Sequence, residues 1–113
     1  DRSYQCIMIT IDFFKNKQDK LHGFNVSGHA GYDQFGLDIA CASVSSAVML
    51  AANTITEAFK IDAKVVVEEN DILLKLVSDE KGYGDKVLLG LLTHMYCLSD
   101  EFTGCIKVKV VEK

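Results

Sequence analysis

Proline is absent from the sequence, so the residue that presets φ in turns is missing and Gly, Asn and Asp must make them. Basic charge is scarce too: 12 Lys and Arg against 16 Asp and Glu leave a formal net charge of −4. A nucleic-acid binder needs a basic face to displace counterions, so this balance argues against one; it suits a basic protein partner. No apolar run approaches the roughly 20 residues of a membrane span. The opening stretch DRSYQCIMITI lacks the n-region, long apolar h-region and cleavage site of a secretory leader, and the cytoplasm is the expected compartment. Cys6, Cys41, Cys97 and Cys105 include no CxxC pair. In a reducing compartment Cys6, Cys97 and Cys105 read as small buried apolar residues.

What is present reads as one globular domain over residues 1–113, with 49% apolar and 25% charged residues. YQCIMITIDFF, residues 4 to 14, alternates around Ile7, Ile9, Ile11 and Phe13 and predicts a strand. The polar KNKQDK makes a turn into a second strand over 20–29, hairpinned on the first, with Gly23 marking a weak point or a bulge. AGYDQFG is then a loop. From Asp38, which suits an N-cap, a helical pattern runs through Ile39, Cys41, Val44, Val48, Ala52, Ile55 and Phe59. Counted from that cap, Cys41 is the third helical residue. The opposite side (Ala42, Ser43, Ser46, Ala47, Ala51) is small, fit for close approach by a helix or a second subunit.

Two strands follow, at 63–68 and 72–77, then a helix over about 84–99 striped by Leu88, Leu91, Leu92, Met95 and Leu98. A last strand carries Ile106, Val108 and Val110 inward and Lys107 and Lys109 outward. The order ββαββαβ predicts an α+β fold, a two-layer sandwich of a mostly antiparallel sheet and two helices.

The stretch SGHAGYDQFGLDIACASVSSA holds the residues with chemistry in them. His29 ends a strand, Cys41 opens a helix, and the glycine-punctuated segment between them can fold back. Packing, half a metal site and an activated thiol all remain open on spacing alone. A thiol reacts as thiolate, a few per cent of an ordinary cysteine at neutral pH. The unpaired amides and positive dipole end of a first helical turn stabilise it, and a neighbouring imidazolium does so further. The same amides can hold a developing oxyanion. Asp38 reads as a cap, or as a group orienting His29. His94 and Cys97, three apart on the second helix, share a face, but two ligands do not close a zinc site; neither metal nor cofactor is expected. GYGDK at 82–86 reads as a helix start rather than a phosphate loop. Glu68, Glu69, Asp71, Asp79 and Glu80 read as solvated surface, or as an anchor for a basic peptide.

GHAGYDQFGLDIACASVS resembles the signature of the bacterial ribosomal-processing cysteine protease family, Prp: Gly-His-Ala-Gly-Tyr, a short variable loop, Gly, one residue, Asp-Ile, one residue, Cys-Ala and a helix with Val and Ser. The resemblance implies a small cytoplasmic homodimer with a Cys–His active site. It implies removal of the N-terminal extension of a large-subunit ribosomal protein, an extension that would otherwise obstruct the peptidyl-transferase centre, by cleavage after an apolar, Phe-rich stretch. Carried over by position, Cys41 is the nucleophile and His29 the general base. Asp38 matches the family's acidic position and Ser45 its helix serine; Ala40 stands where Val is common. Gly28, Gly31, Phe35 and Gly36 belong to the loop, where Phe35 and Leu37 are expected to cover an apolar substrate. The alternatives are a non-catalytic ribosome-associated binding module and a thiol redox enzyme, the latter without a nearby resolving cysteine.

Overall fold

The computed structural model describes residues 8–28, 35–69 and 71–113, with residues 35–38 as helix backbone only. The elements are β1 (Ile9–Lys15), β2 (Leu21–Ser27), α1 (Phe35–Asn53), a π-helical turn (Thr54–Ala58), β3 (Ala63–Glu68), β4 (Asp71–Leu76), α2 (Tyr83–Glu101) and β5 (Ile106–Glu112). The strands form one sheet in the order β3-β4-β2-β1-β5. β5 lies parallel to β1, and the remaining neighbours are antiparallel. Cross-strand partners put Ile11 beside Val26, Phe13 beside Phe24, and Phe24 beside Leu74 on one face. That face meets Val44, Val48 and Ile55 from the first helical segment and Leu88, Leu91 and Met95 from α2 in a single core. This is the α+β two-layer sandwich that the ββαββαβ pattern predicts.

The turns show how the chain manages without proline. Between β1 and β2, Asn16 Oδ1 accepts from the amides of Gln18 at 2.9 Å and Lys20 at 3.0 Å, and Asp19 takes the left-handed conformation. The pairing slips beside Gly23, between Phe14 and Lys15 of β1. Glycine is required there: a Cβ would collide with the Leu74 carbonyl oxygen of the neighbouring strand.

Helix α1 departs from the expected register. It starts at Phe35 rather than after Asp38, so Asp38 is its fourth residue rather than its cap, and Phe35, Gly36 and Leu37 are helical rather than loop. Its inner face is Ala40, Cys41, Val44, Val48 and Ala51, while Ile39 is 40% exposed and Phe59, beyond the helix, 45%. The small residues are therefore the ones that let α1 lie close to its neighbours, and Ala51 is buried rather than outward. α2 packs against α1, bordering a groove of about 550 Å³ that includes Ser43, Ala47, Gly90 and His94. Ile39–Ala58 is a 20-residue stretch of mean hydropathy 1.5, which corrects the expectation that no apolar run reaches that length. Its buried residues, Ala40 through Ile55, lie in the same core as the sheet.

Candidate active site

Strand pairing collects one end of each strand. At that end Ser27 of β2 lies opposite Thr10 of β1 and opposite Asp71 of β4, and Asp71 lies opposite Glu68 of β3. The end of α2 arrives there too: Ser99 Oγ donates to the Ile106 carbonyl at 3.1 Å, and the Ile9 amide donates to the Cys105 carbonyl at 2.8 Å. β2 leaves the sheet through Gly28, whose φ of 80° is left-handed and where a Cβ would meet the Met8 carbonyl oxygen at 2.6 Å. Only glycine meets both demands. Gly28 therefore fixes the direction in which the chain departs one residue before His29. His29 and Gly31 lie outside the described residues.

Cys41 sits on the inner face of α1 at 8% exposure. Being the seventh helical residue rather than the third, it lies in the second turn, where an amide is directed at the carbonyl four residues back. The unpaired amides belong to the turn that begins at Phe35. The dipole end is thus nearly two turns from Cys41, which weakens the activation expected from a first-turn position. Ser45 follows Cys41 by four residues, hence on the same side one turn further on, and is half-buried.

The rival pair is not drawn inward. His94 and Cys97 are both exposed on α2, so Cys97 is not the buried apolar residue expected. Cys105 is buried, but is disulfide-bonded rather than a thiol; Cys6 lies outside the described residues. His22 is half-buried, with Nε2 at 3.2 Å from the Lys113 carbonyl. A cavity of about 600 Å³ lined by Lys20, His22, Asp79 and Asp85 opens at the opposite end of the sheet from Ser27. GYGDK does start a helix: Gly82 is its left-handed cap, and Asp79 accepts from the amides of Gly84 and Asp85, both at 2.9 Å.

Strand pairing also brings in a residue that the sequence left among surface acids. Asp71 faces Ser27 across the sheet and accepts a hydrogen bond from Asn25 Nδ2 at 3.1 Å. No local pattern announces this, because 46 residues separate Asn25 from Asp71.

Sheet, helix pair and the buried Cys41 on the helix that follows β2 make a small two-layer α+β scaffold. The model of the cysteine protease Prp family matches residues 8–107, and the chain belongs to that family. Among solved structures it is similar to the ribosomal processing protease Prp of Staphylococcus aureus in complex with a substrate peptide, at TM-score 0.85 and 20% identity over 92% of this chain and 100% of that one. The same protease with a covalently linked product peptide gives TM-score 0.82 and 21% identity over 92% and 100%. SMU.848 from Streptococcus mutans gives 0.83 and 18% over 94% and 99%. A search of curated proteins finds no match.

Proposed function

We propose that this chain is a cysteine endopeptidase that removes the N-terminal extension of a large-subunit ribosomal protein, with Cys41 as nucleophile and His29 as general base. The observation that carries the reading is the family match over residues 8–107, joined to the signature cysteine lying on the inner face of α1. His29 takes the thiol proton and Cys41 Sγ attacks the scissile carbonyl carbon. The tetrahedral intermediate collapses, the C–N bond breaks, and His29 returns the proton to the leaving amine. Water, deprotonated by His29, then releases the acyl group from sulfur. A covalently linked product peptide in the Staphylococcus aureus relative accords with a nucleophile of this kind. Asp38 and Ser45 support the pair, and Gly28, Gly31, Phe35 and Gly36 shape the segment against which the substrate lies.

The enzyme works in the cytoplasm as a homodimer, and its acidic balance of −4 complements a basic ribosomal protein. The test is incubation with the N-terminally extended ribosomal protein and mass measurement of the products. Two fragments, cut after an apolar stretch and absent with Cys41→Ala, are expected. Tight binding without any cleavage by the parent chain would instead establish the non-catalytic module.

A further inference from the structure

β3 is the outer strand of the sheet at the end away from β5, and it is poorly defended. Edge strands are normally blunted by charged side chains, inward-pointing charges, proline or a bulge, and of these β3 has only Lys64 and Glu68. On β3 the helix-side positions are Val65 and Val67, exposed at 42% and 67%. The charged positions, Lys64 and Glu68, flank Val66 on the other face. Within the chain these charges are badly matched. Lys64 lies opposite Lys75 and Glu68 opposite Asp71, two like-charge pairs of the kind that weakens a ladder. Among the described residues none of the four has an ion-pair partner.

We propose that two copies of this chain pair antiparallel through β3, about an axis at Val66, to make one continuous ten-stranded sheet. This rests on the homodimer reading above and assigns its face. A two-fold axis requires the strand to complement itself, and Lys64-Val65-Val66-Val67-Glu68 does so in one register. Val66 meets Val66 of the second copy, Val65 meets Val67, and Lys64 meets Glu68. Lys64 and Glu68 fall on the same face as their cross-strand partners, so the row across the seam runs Lys75, Lys64, Glu68, Asp71, with opposite charges at the junction. Val65 and Val67 bury each other on the helix side. A shift of two residues, the smallest that keeps both copies' faces on the same side, sets Lys64 or Glu68 against Val66 and loses the match. The occupant is therefore a second copy rather than an unrelated strand.

Sedimentation and light scattering of the full chain, with Lys64→Glu, Glu68→Lys and the double swap, test this. Each single change places like charges in contact twice per dimer, and should weaken association about tenfold. Each also removes a like-charge pair inside its own chain, so unchanged or raised thermal midpoints will show that folding is intact. The double swap restores opposite charges across the seam and should return association to near the parent value. A parent that stays monomeric overturns both this pairing and the homodimer reading. A dimeric parent indifferent to both single changes overturns the pairing and leaves the homodimer standing on another face. A double swap as weak as the single changes overturns the register.

Discussion

The Leu21 amide donates to Asp85 Oδ1 at 2.7 Å, a buried bond that ties the β1–β2 hairpin to the first turn of α2. Asp85 is only 7% exposed, and Lys86 Nζ stands 3.8 Å from its other oxygen. Replacing Asp85 by Ala strands a buried amide that had a charged acceptor. The expected loss is about 2 kcal/mol of stability, read as a lowered midpoint in urea with an unchanged slope. Asn offers an oxygen to the same amide and should lose less. Because the bond lies at the end of the sheet opposite Ser27, cleavage by either variant well below its melting temperature should match the parent.

Among the described residues three glycines have left-handed backbones: Gly28, Gly82 and Gly104. A Cβ at Gly82 or Gly104 meets nothing within 4 Å, whereas at Gly28 it strikes the Met8 carbonyl. Gly104→Ala should therefore cost only the backbone preference, about 1 kcal/mol. Gly28→Ala must also move β1 or the exit from β2. It should be the more destabilised of the two by thermal melting. It should also lose most of its peptide cleavage while still folded, because the chain then leaves toward His29 in another direction. Equal activity in the two variants would remove Gly28 from the machinery.

Much of this was legible in the sequence, because the patterns that carry it are local. The period-two alternation of Ile9, Ile11 and Phe13 and the stripe of Leu88, Leu91, Met95 and Leu98 are buried as their spacing requires. What failed was non-local, or hidden by a strong local signal. Gly36 looked like a loop residue and Asp38 like a cap, yet the helix runs through both, at positions where local propensities are worth only about 1 kcal/mol. That error carried Cys41 from the second turn into the first. Ile39 and Phe59 fitted a helical stripe by hydrophobicity, but small Ala40 and Ala51 took the inner face, where close approach favours small side chains. The parallel pairing of β5 with β1 and the meeting of Asp71 with Ser27 depend on strand order, which no spacing encodes.

Thiol accessibility and thiol activation can be separated in this chain. Cys97 is exposed and Cys41 buried, so accessibility alone favours modification of Cys97. Timed iodoacetamide labelling with mass mapping should nevertheless find Cys41 the faster at pH 6, where a thiolate held by an imidazolium persists and an ordinary thiol is protonated. The ratio of the two rates should fall as pH rises toward 9. If Cys97 leads at every pH, Cys41 is not activated.

Cys41→Ala and His29→Ala should fail in different ways. The alanine at 41 removes sulfur from a packed position, a small loss of volume, and leaves the backbone that the substrate lies against. It should bind the extended ribosomal protein near the parent affinity and cut none of it. In the proposed mechanism, His29→Ala leaves the nucleophile without its base. With Cys41 in the second turn rather than the first, the helix dipole offers little substitute, because its influence fades within the first turn. Residual cleavage by His29→Ala should therefore be at least about a hundredfold below the parent at pH 7, the usual worth of a positioned general base. It should climb with pH as the unassisted thiol ionises, while the parent stays flat over that range. Peptide cleavage from pH 6 to pH 9, with binding measured separately by calorimetry on Cys41→Ala, checks both. A His29→Ala variant with parent activity at pH 7 would assign the base to another residue, and cleavage by Cys41→Ala would overturn the covalent mechanism altogether.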